Sequence, residues 1–308
     1  MTRLAAIDLG TNTVRLLVVE ADGRGWRVLD EAQRVTRLGE GQGAAGVLGE
    51  APMARTAAVL AEFVGAAERL GVSRVRILAT SAVRDARNRS EFARRVRAAT
   101  GHAIEVISGA DEARLTLLGV AAGLPGLPGS FLLFDVGGGS TEFVLARSGV
   151  AAASVSLRLG VVPLTERYLG DGTVDRARYG AMAREVERRL AAEVPPEIAD
   201  ARAPVLVGTA GTVTTLAAID LGLTAYDAAR VHAHRMERAA VERLRDRLGA
   251  LTVAARSEIP CLERGRADVI IAGIAICLGA MDRFGFESLL VSDRGLREGI
   301  VCEILGSA

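Results

Sequence analysis

The sequence predicts an α/β protein of two similar lobes with a cleft between them. Three observations carry this expectation: a motif that occurs once in each half, strands and helices that alternate within each half, and a length of 308 residues, enough for two domains of about 150 each. The motif Ala6-Ile7-Asp8-Leu9-Gly10-Thr11-Asn12-Thr13 returns 127 positions later as Leu133-Phe134-Asp135-Val136-Gly137-Gly138-Gly139-Ser140. Each copy is an apolar run ending in Asp-x-Gly, then small polar residues, then a second apolar run. That pattern reads as a strand, a tight turn with an acid at its lip, and an antiparallel second strand.

In the first half, strands are expected at 3–9, 13–20 and 25–31, followed by a helix over 55–70 started by Pro52 and closed by Gly71. A short strand at 76–80, a helix near 90–99 and a strand at 103–107 follow. Ser108-Gly109-Ala110-Asp111 resembles a capping box and starts a helix running to about residue 122. The stretch Gly123-Leu124-Pro125-Gly126-Leu127-Pro128-Gly129 is the richest in turn residues and marks the domain boundary. The lobes are accordingly 1–123 and 124–308, with a carboxyl-terminal helix over 295–308 placed to pack back on the first. In the second half, strands are expected near 130–136, 141–147, 150–157, 204–208 and 288–292. Its helices are expected near 161–169, 174–193, 213–221, 237–249, 266–284 and 295–305.

Composition narrows the chemistry. Half of the residues are hydrophobic, ample for two cores. The net charge of +1 argues against a general nucleic-acid surface. There is no lysine, so all 38 basic residues are arginine and a P-loop is excluded. Any phosphate clamp must be guanidinium, always charged and able to bind bidentately. The cysteines Cys261, Cys277 and Cys302 are scattered and read as buried free thiols. The amino terminus enters a strand at once, and the longest apolar run, Val269 to Met281, is too short to cross a bilayer. The expected location is therefore the cytoplasm, away from membranes. The helix at 266–284 and the terminal helix fit a homodimer interface and core packing equally well.

Several residues stand out as candidates. Glycines let backbone N–H groups approach an anion, so Gly10 with Thr11, Asn12 and Thr13, and Gly137, Gly138 and Gly139 with Ser140 and Thr141, are expected to hold phosphate. Asp8 and Asp135 add carboxylates at the lips of these turns, and Glu142 is placed to join Asp135 near a metal ion. Gly208-Thr209-Ala210-Gly211-Thr212 puts a glycine-rich turn at a helix amino terminus, which fits either a phosphate site or a plain helix cap. Glu112, in the first turn of the helix after Ser108, fits a carboxylate favoured by the helix dipole or one that orients an attacking water. Arg84 fits a phosphate contact or a surface ion pair. His232 and His234 lack a third ligand and are not read as a metal site.

These segments together resemble the Ppx/GppA phosphatases. The resemblance rests on Ile7 to Thr13, Ala79 to Asn88, Ile107 to Leu115, Phe134 to Glu142, Gly208 to Thr212 and Val291 to Gly299, in order along the whole chain. It implies the actin/sugar-kinase/Hsp70 (ribonuclease H-like) fold and hydrolysis of a terminal phosphoryl group, with polyphosphate favoured over guanosine pentaphosphate as substrate. By the same resemblance Glu112 is the catalytic general base, Asp135 and Glu142 are associated with Mg2+, and Arg84 contacts the polyphosphate chain. Hinge motion between the lobes would admit substrate. Asp111 departs from the glutamate usual at that place, and the length resembles that of the short, two-domain members. An ATP-dependent kinase of the same fold and a regulator that binds guanosine tetra- or pentaphosphate are the rival expectations.

Overall fold

The computed structural model describes residues 1–22, 25–43 and 45–306; Ser307 and Ala308, included in the expected terminal helix, lie outside the described residues. The chain forms two compact units, residues 1–119 with 296–308, and residues 120–295.

In unit 1, β1 (Thr2–Leu9), β2 (Thr13–Ala21) and β3 (Trp26–Val35) form an antiparallel meander. Then come α1 (Glu50–Arg69), β4 (Arg74–Ala79), the short α2 (Ser81–Arg84), α3 (Arg89–Thr100), β5 (Ile104–Val106) and α4 (Gly109–Gly123). The sheet order is β3-β2-β1-β4-β5, with β4 and β5 parallel to β1. Both faces are covered, so alternate residues of β1 enter different cores. Ala5, Ile7 and Leu9 pack with Leu60, Phe63 and Phe92 of α1 and α3, while Leu4 and Ala6 pack with Leu115 of α4 and the chain's last helix.

Unit 2 repeats the plan. Strands β6 (Ser130–Val136), β7 (Thr141–Arg147) and β8 (Val150–Leu157) form the meander. They are followed by α5 (Val161–Tyr168), α6 (Arg176–Glu193), α7 (Pro196–Ala199), β9 (Leu206–Thr209) and α8 (Ala210–Asp220). Next are α9 (Ala228–Val231), β10 (Arg235–Glu237), α10 (Arg238–Gly249), α11 (Val253–Arg256), α12 (Ile270–Phe284) and β11 (Ser288–Val291). The order β10-β11-β9-β6-β7-β8 is that of unit 1 with one added antiparallel edge strand. Helix α12 is apolar because it is buried nearly all round in the core of this unit, beside the stacked rings of Phe134 and Phe143. Its apolar surface is thereby accounted for by core packing. Cys277 and Cys302 are buried, the Cys277 thiol pushed up to about 12 by burial, whereas Cys261 is only half-buried. Among the described residues no helix is long and apolar enough to cross a membrane.

The last helix, α13 (Leu296–Leu305), belongs to unit 1. It approaches α4 so closely that a Cβ on Gly299 would lie 1.8 Å from the Leu115 carbonyl oxygen. An ionic network joins the same elements: Arg76 of β4 bonds Glu105 and Glu303, each at 2.6 Å, and Arg114 of α4 also bonds Glu303. Arg76, and then Arg114, hold the Glu303 carboxyl below its ordinary range against the opposing effect of burial.

Two outcomes are expected. Gly299→Ala forces α13 off α4 and destabilises unit 1 by about 2–3 kcal/mol, read as a lowered denaturation midpoint. The Glu303 contribution is whole above the ordinary carboxylate range and fades as the pH falls through its depressed value. Glu303→Gln therefore costs about 1–2 kcal/mol at pH 7, and the difference from the parent chain narrows as the urea titrations are moved toward pH 3.

Candidate active site

The two Asp-x-Gly turns have the same geometry. Each is closed by one backbone bond, Gly10 N–H to the Thr13 carbonyl at 3.1 Å and Gly137 N–H to the Ser140 carbonyl at 2.9 Å. In each unit the segment after the third strand pins the turn's carbonyls from behind. Thr36 and Arg37 donate to the Asn12 carbonyl and Gly39 to that of Thr11; Val161 and Val162, opening α5, donate to the carbonyls of Gly137 and Gly138. The N–H groups of Thr11, Asn12, Gly138 and Gly139 have no backbone acceptor among the described residues. Turns with carbonyls fixed behind and N–H groups left over are suited to an anion.

None of the three glycines of the second turn adopts left-handed φ. The tight requirement falls on Gly160, where a Cβ would lie 2.3 Å from the Gly138 carbonyl oxygen. In the first turn the corresponding close approach is by Gly39, whose Cβ would meet the Thr11 methyl at 2.3 Å. The Thr11 hydroxyl is itself 2.8 Å from that of Ser81, at the start of α2. Thr141, fully buried, spends its hydroxyl on the Leu159 carbonyl.

Strand register makes the two copies electrically different. Asp8 is paired across β1 and β2 with Arg15, and Asp135 across β6 and β7 with Glu142. Paired residues share a face of the sheet. The offset of 127 that relates Asp8 to Asp135 also relates Arg15 to Glu142, so the motif reading missed Arg15 although the repeat contained the signal. Ser156 continues the second row and donates to Glu142 at 2.7 Å. Directly opposed carboxylates repel, so this row favours a cation, whereas the first row carries its own.

The third turn lies where β9 passes into α8. The helix begins at Ala210, one turn earlier than 213 as expected from the sequence, because Ala210 turns the chain with φ +72°. Left-handed backbone at a residue other than glycine costs about 1–3 kcal/mol and persists only where surrounding bonds hold it. Here Thr209 bonds through its hydroxyl to the carbonyls of Ser292 and Arg294 at 3.0 and 2.9 Å, and the Gly208 carbonyl accepts from Ser292 N–H at 2.8 Å. The Thr209 hydroxyl proton is thus spent on the protein, and the first-turn N–H groups of α8, at Gly211 and Thr212, remain for an anion. Thr212 is seated on Gly273, where a Cβ would lie 2.3 Å from its methyl.

In unit 1, Ser108 caps α4 by accepting from Asp111 N–H at 3.1 Å and donates to the Asp111 carboxylate at 2.6 Å. One residue on, Glu112 is 8% exposed. Arg84, at the end of α2, donates through Nη1 to Glu112 at 2.9 Å and to the Ile107 carbonyl at 3.2 Å. Two candidates that the sequence treated separately are therefore partners. The guanidinium fixes the carboxylate, and its Nε and Nη2 lie outside these bonds. His232 and His234 face different partners, Gly123 and Asp220, and among the described residues no group of three or more His, Cys, Asp or Glu side chains is arranged to hold a metal ion.

Two units with mixed sheets of matching strand order, each with an acid at the lip of its first hairpin turn, define an α/β protein built on a repeated plan. The model of the Ppx/GppA phosphatase family matches residues 17–308, and the chain belongs to that family. It is 36% identical to exopolyphosphatase 2 of Mycobacterium tuberculosis, with 99% of each chain covered. It is also 29% identical to a guanosine-5'-triphosphate,3'-diphosphate pyrophosphatase of Aeromonas salmonicida, covering 98% of this chain and 59% of that protein. Among solved structures, the Aquifex aeolicus Ppx/GppA family member has a TM-score of 0.82 at 32% identity, covering 99% of this chain and 98% of its own. An exopolyphosphatase from Cytophaga hutchinsonii has a TM-score of 0.92 at 26% identity, covering 100% and 99%.

Gly160→Ala drives a methyl group into the second turn. Its expected effect is a loss of activity of at least a hundredfold with a much smaller shift in melting temperature; an active Gly160→Ala protein would show that the turn's position is not critical.

Proposed function

We propose that this chain is an exopolyphosphatase, hydrolysing the terminal phosphoryl group of inorganic polyphosphate and releasing orthophosphate. The observation that carries the reading is the buried Glu112 carboxylate held by Arg84, in a chain 36% identical over nearly its full length to exopolyphosphatase 2. Glu112 accepts the proton of a water aligned for in-line attack. In unit 1 the N–H groups of the first Asp-x-Gly turn, and in unit 2 those of the second turn and of the α8 amino terminus, are suited to phosphate oxygens, and Arg84 has further nitrogens for a phosphate. Asp8 is grouped with the phosphate-binding residues of the first turn, with Arg15 paired to it across the sheet as a further cation.

The pair Asp135 and Glu142 fits Mg2+, which binds through one or two carboxylates and completes its shell with substrate oxygens and water. When bound, the ion supplies positive charge that offsets charge developing on the transferred phosphoryl group. The relative from A. salmonicida supports guanosine pentaphosphate hydrolysis as the second reading, but it is the more distant of the two and much longer than this chain.

Phosphate release measured side by side with polyphosphate, guanosine pentaphosphate and ATP, with and without Mg2+, separates these readings and the kinase alternative. Polyphosphate is expected to be the best substrate and Mg2+ to be required. Glu112→Gln is expected to lower kcat by about a thousandfold or more while polyphosphate binding persists. Full turnover by a folded Glu112→Gln protein would remove Glu112 from the role of base.

A further inference from the structure

The corner at residues 292–294 holds the third glycine turn in place through Thr209 and Gly208, and one side chain clasps that corner from the other side. Asp293 N–H donates to His232 Nδ1 at 3.2 Å, which fixes Nδ1 as an acceptor. The single ring proton is then on Nε2, which donates to the Gly123 carbonyl at 2.9 Å. The ring is located by its own backbone: Ala233 N–H donates to the Val291 carbonyl, and Val291 N–H to that of His234, both at 2.8 Å. The corner packs closely on Gly123, where a Cβ would lie 2.7 Å from Arg294 Cδ and 3.1 Å from His232 Cε1, so those side chains would have to shift. The strained Ala210 needs neighbours that over-determine it, and the corner is what supplies them.

We propose that His232, as the neutral Nε2–H tautomer, is a positioning residue that sets the Gly208–Thr212 turn for substrate phosphate by locking the 292–294 corner. The proposal rests on the reading that this turn binds phosphate. A second proton on the ring would fall on Nδ1 and point a donor at the Asp293 N–H, which is itself a donor. The charged and titratable groups around the ring are Asp293 with its partner Tyr226, Arg294, Arg230 and Asp227 of the α9 segment, and His234 with Asp220.

The test uses the full chain with inorganic tripolyphosphate. His232→Ala is expected to raise KM about tenfold with kcat within twofold. His232→Asn, whose side-chain oxygen can accept from Asp293 N–H, is expected to restore most of the loss. If His232→Ala does not fold, His232→Phe, which fills the space but offers Asp293 N–H no acceptor, carries the test and is expected to show the same rise in KM. Parental KM values in His232→Ala or His232→Phe would overturn the proposal. If the parent chain turns over no polyphosphate, the functional reading falls by itself. The comparison is then made on the Kd of tripolyphosphate by calorimetry, where equal values for the parent and His232→Ala overturn the positioning role. Equal Asp293 amide exchange in the two proteins would overturn the clasp directly.

Discussion

Everything in the candidate site depends on backbone carbonyls being held from behind. A hairpin turn has as many acceptors as donors, and left to itself it presents both to a ligand. Here the segment following the third strand takes the acceptors, through Thr36, Arg37 and Gly39 in one unit and Val161 and Val162 in the other. What remains is a surface of donors. The approach is so close that Gly39 and Gly160 have no room for a side chain, which ties the placement of each turn to the packing of the segment behind it.

The buried Glu112 applies the same economy to a side chain. A carboxylate removed from water needs a partner or loses its charge. Arg84 provides a guanidinium donor at 2.9 Å, which fixes the carboxylate in direction. The guanidinium is fixed too, by the Ile107 carbonyl at 3.2 Å. Strand β5 is only three residues long, yet its last turn into α4 is where the cap at Ser108, the carboxylate and the arginine meet.

Most of the architecture was legible in the sequence because the central strands of both sheets are short continuous apolar runs bounded by turn residues, and the spans of β6 to β8 follow the expected 130–136, 141–147 and 150–157. The short pieces α2, α7, α9, α11 and β10 were not anticipated, since three or four residues carry no periodicity. The start of α8 was placed too late because a left-handed alanine leaves no trace in composition. Arg15 was passed over for another reason: the motif was read for glycines and acids, and its flanking strand for apolar content alone. The bond between Glu112 and Arg84 joins residues 28 apart, a distance no local pattern spans.

The charge reversal between Arg15 and Glu142 has a consequence for ancestry. A symmetric dimer of identical half-chains must carry the same sign at both equivalent positions, offering two anion grips or two cation seats but never one of each. Joining the halves in a single polypeptide lifts that symmetry and allows one substitution to give the copies different trades. The difference in charge between the two turns is thus a property that duplication followed by fusion makes available and that self-association of a half-length precursor could not.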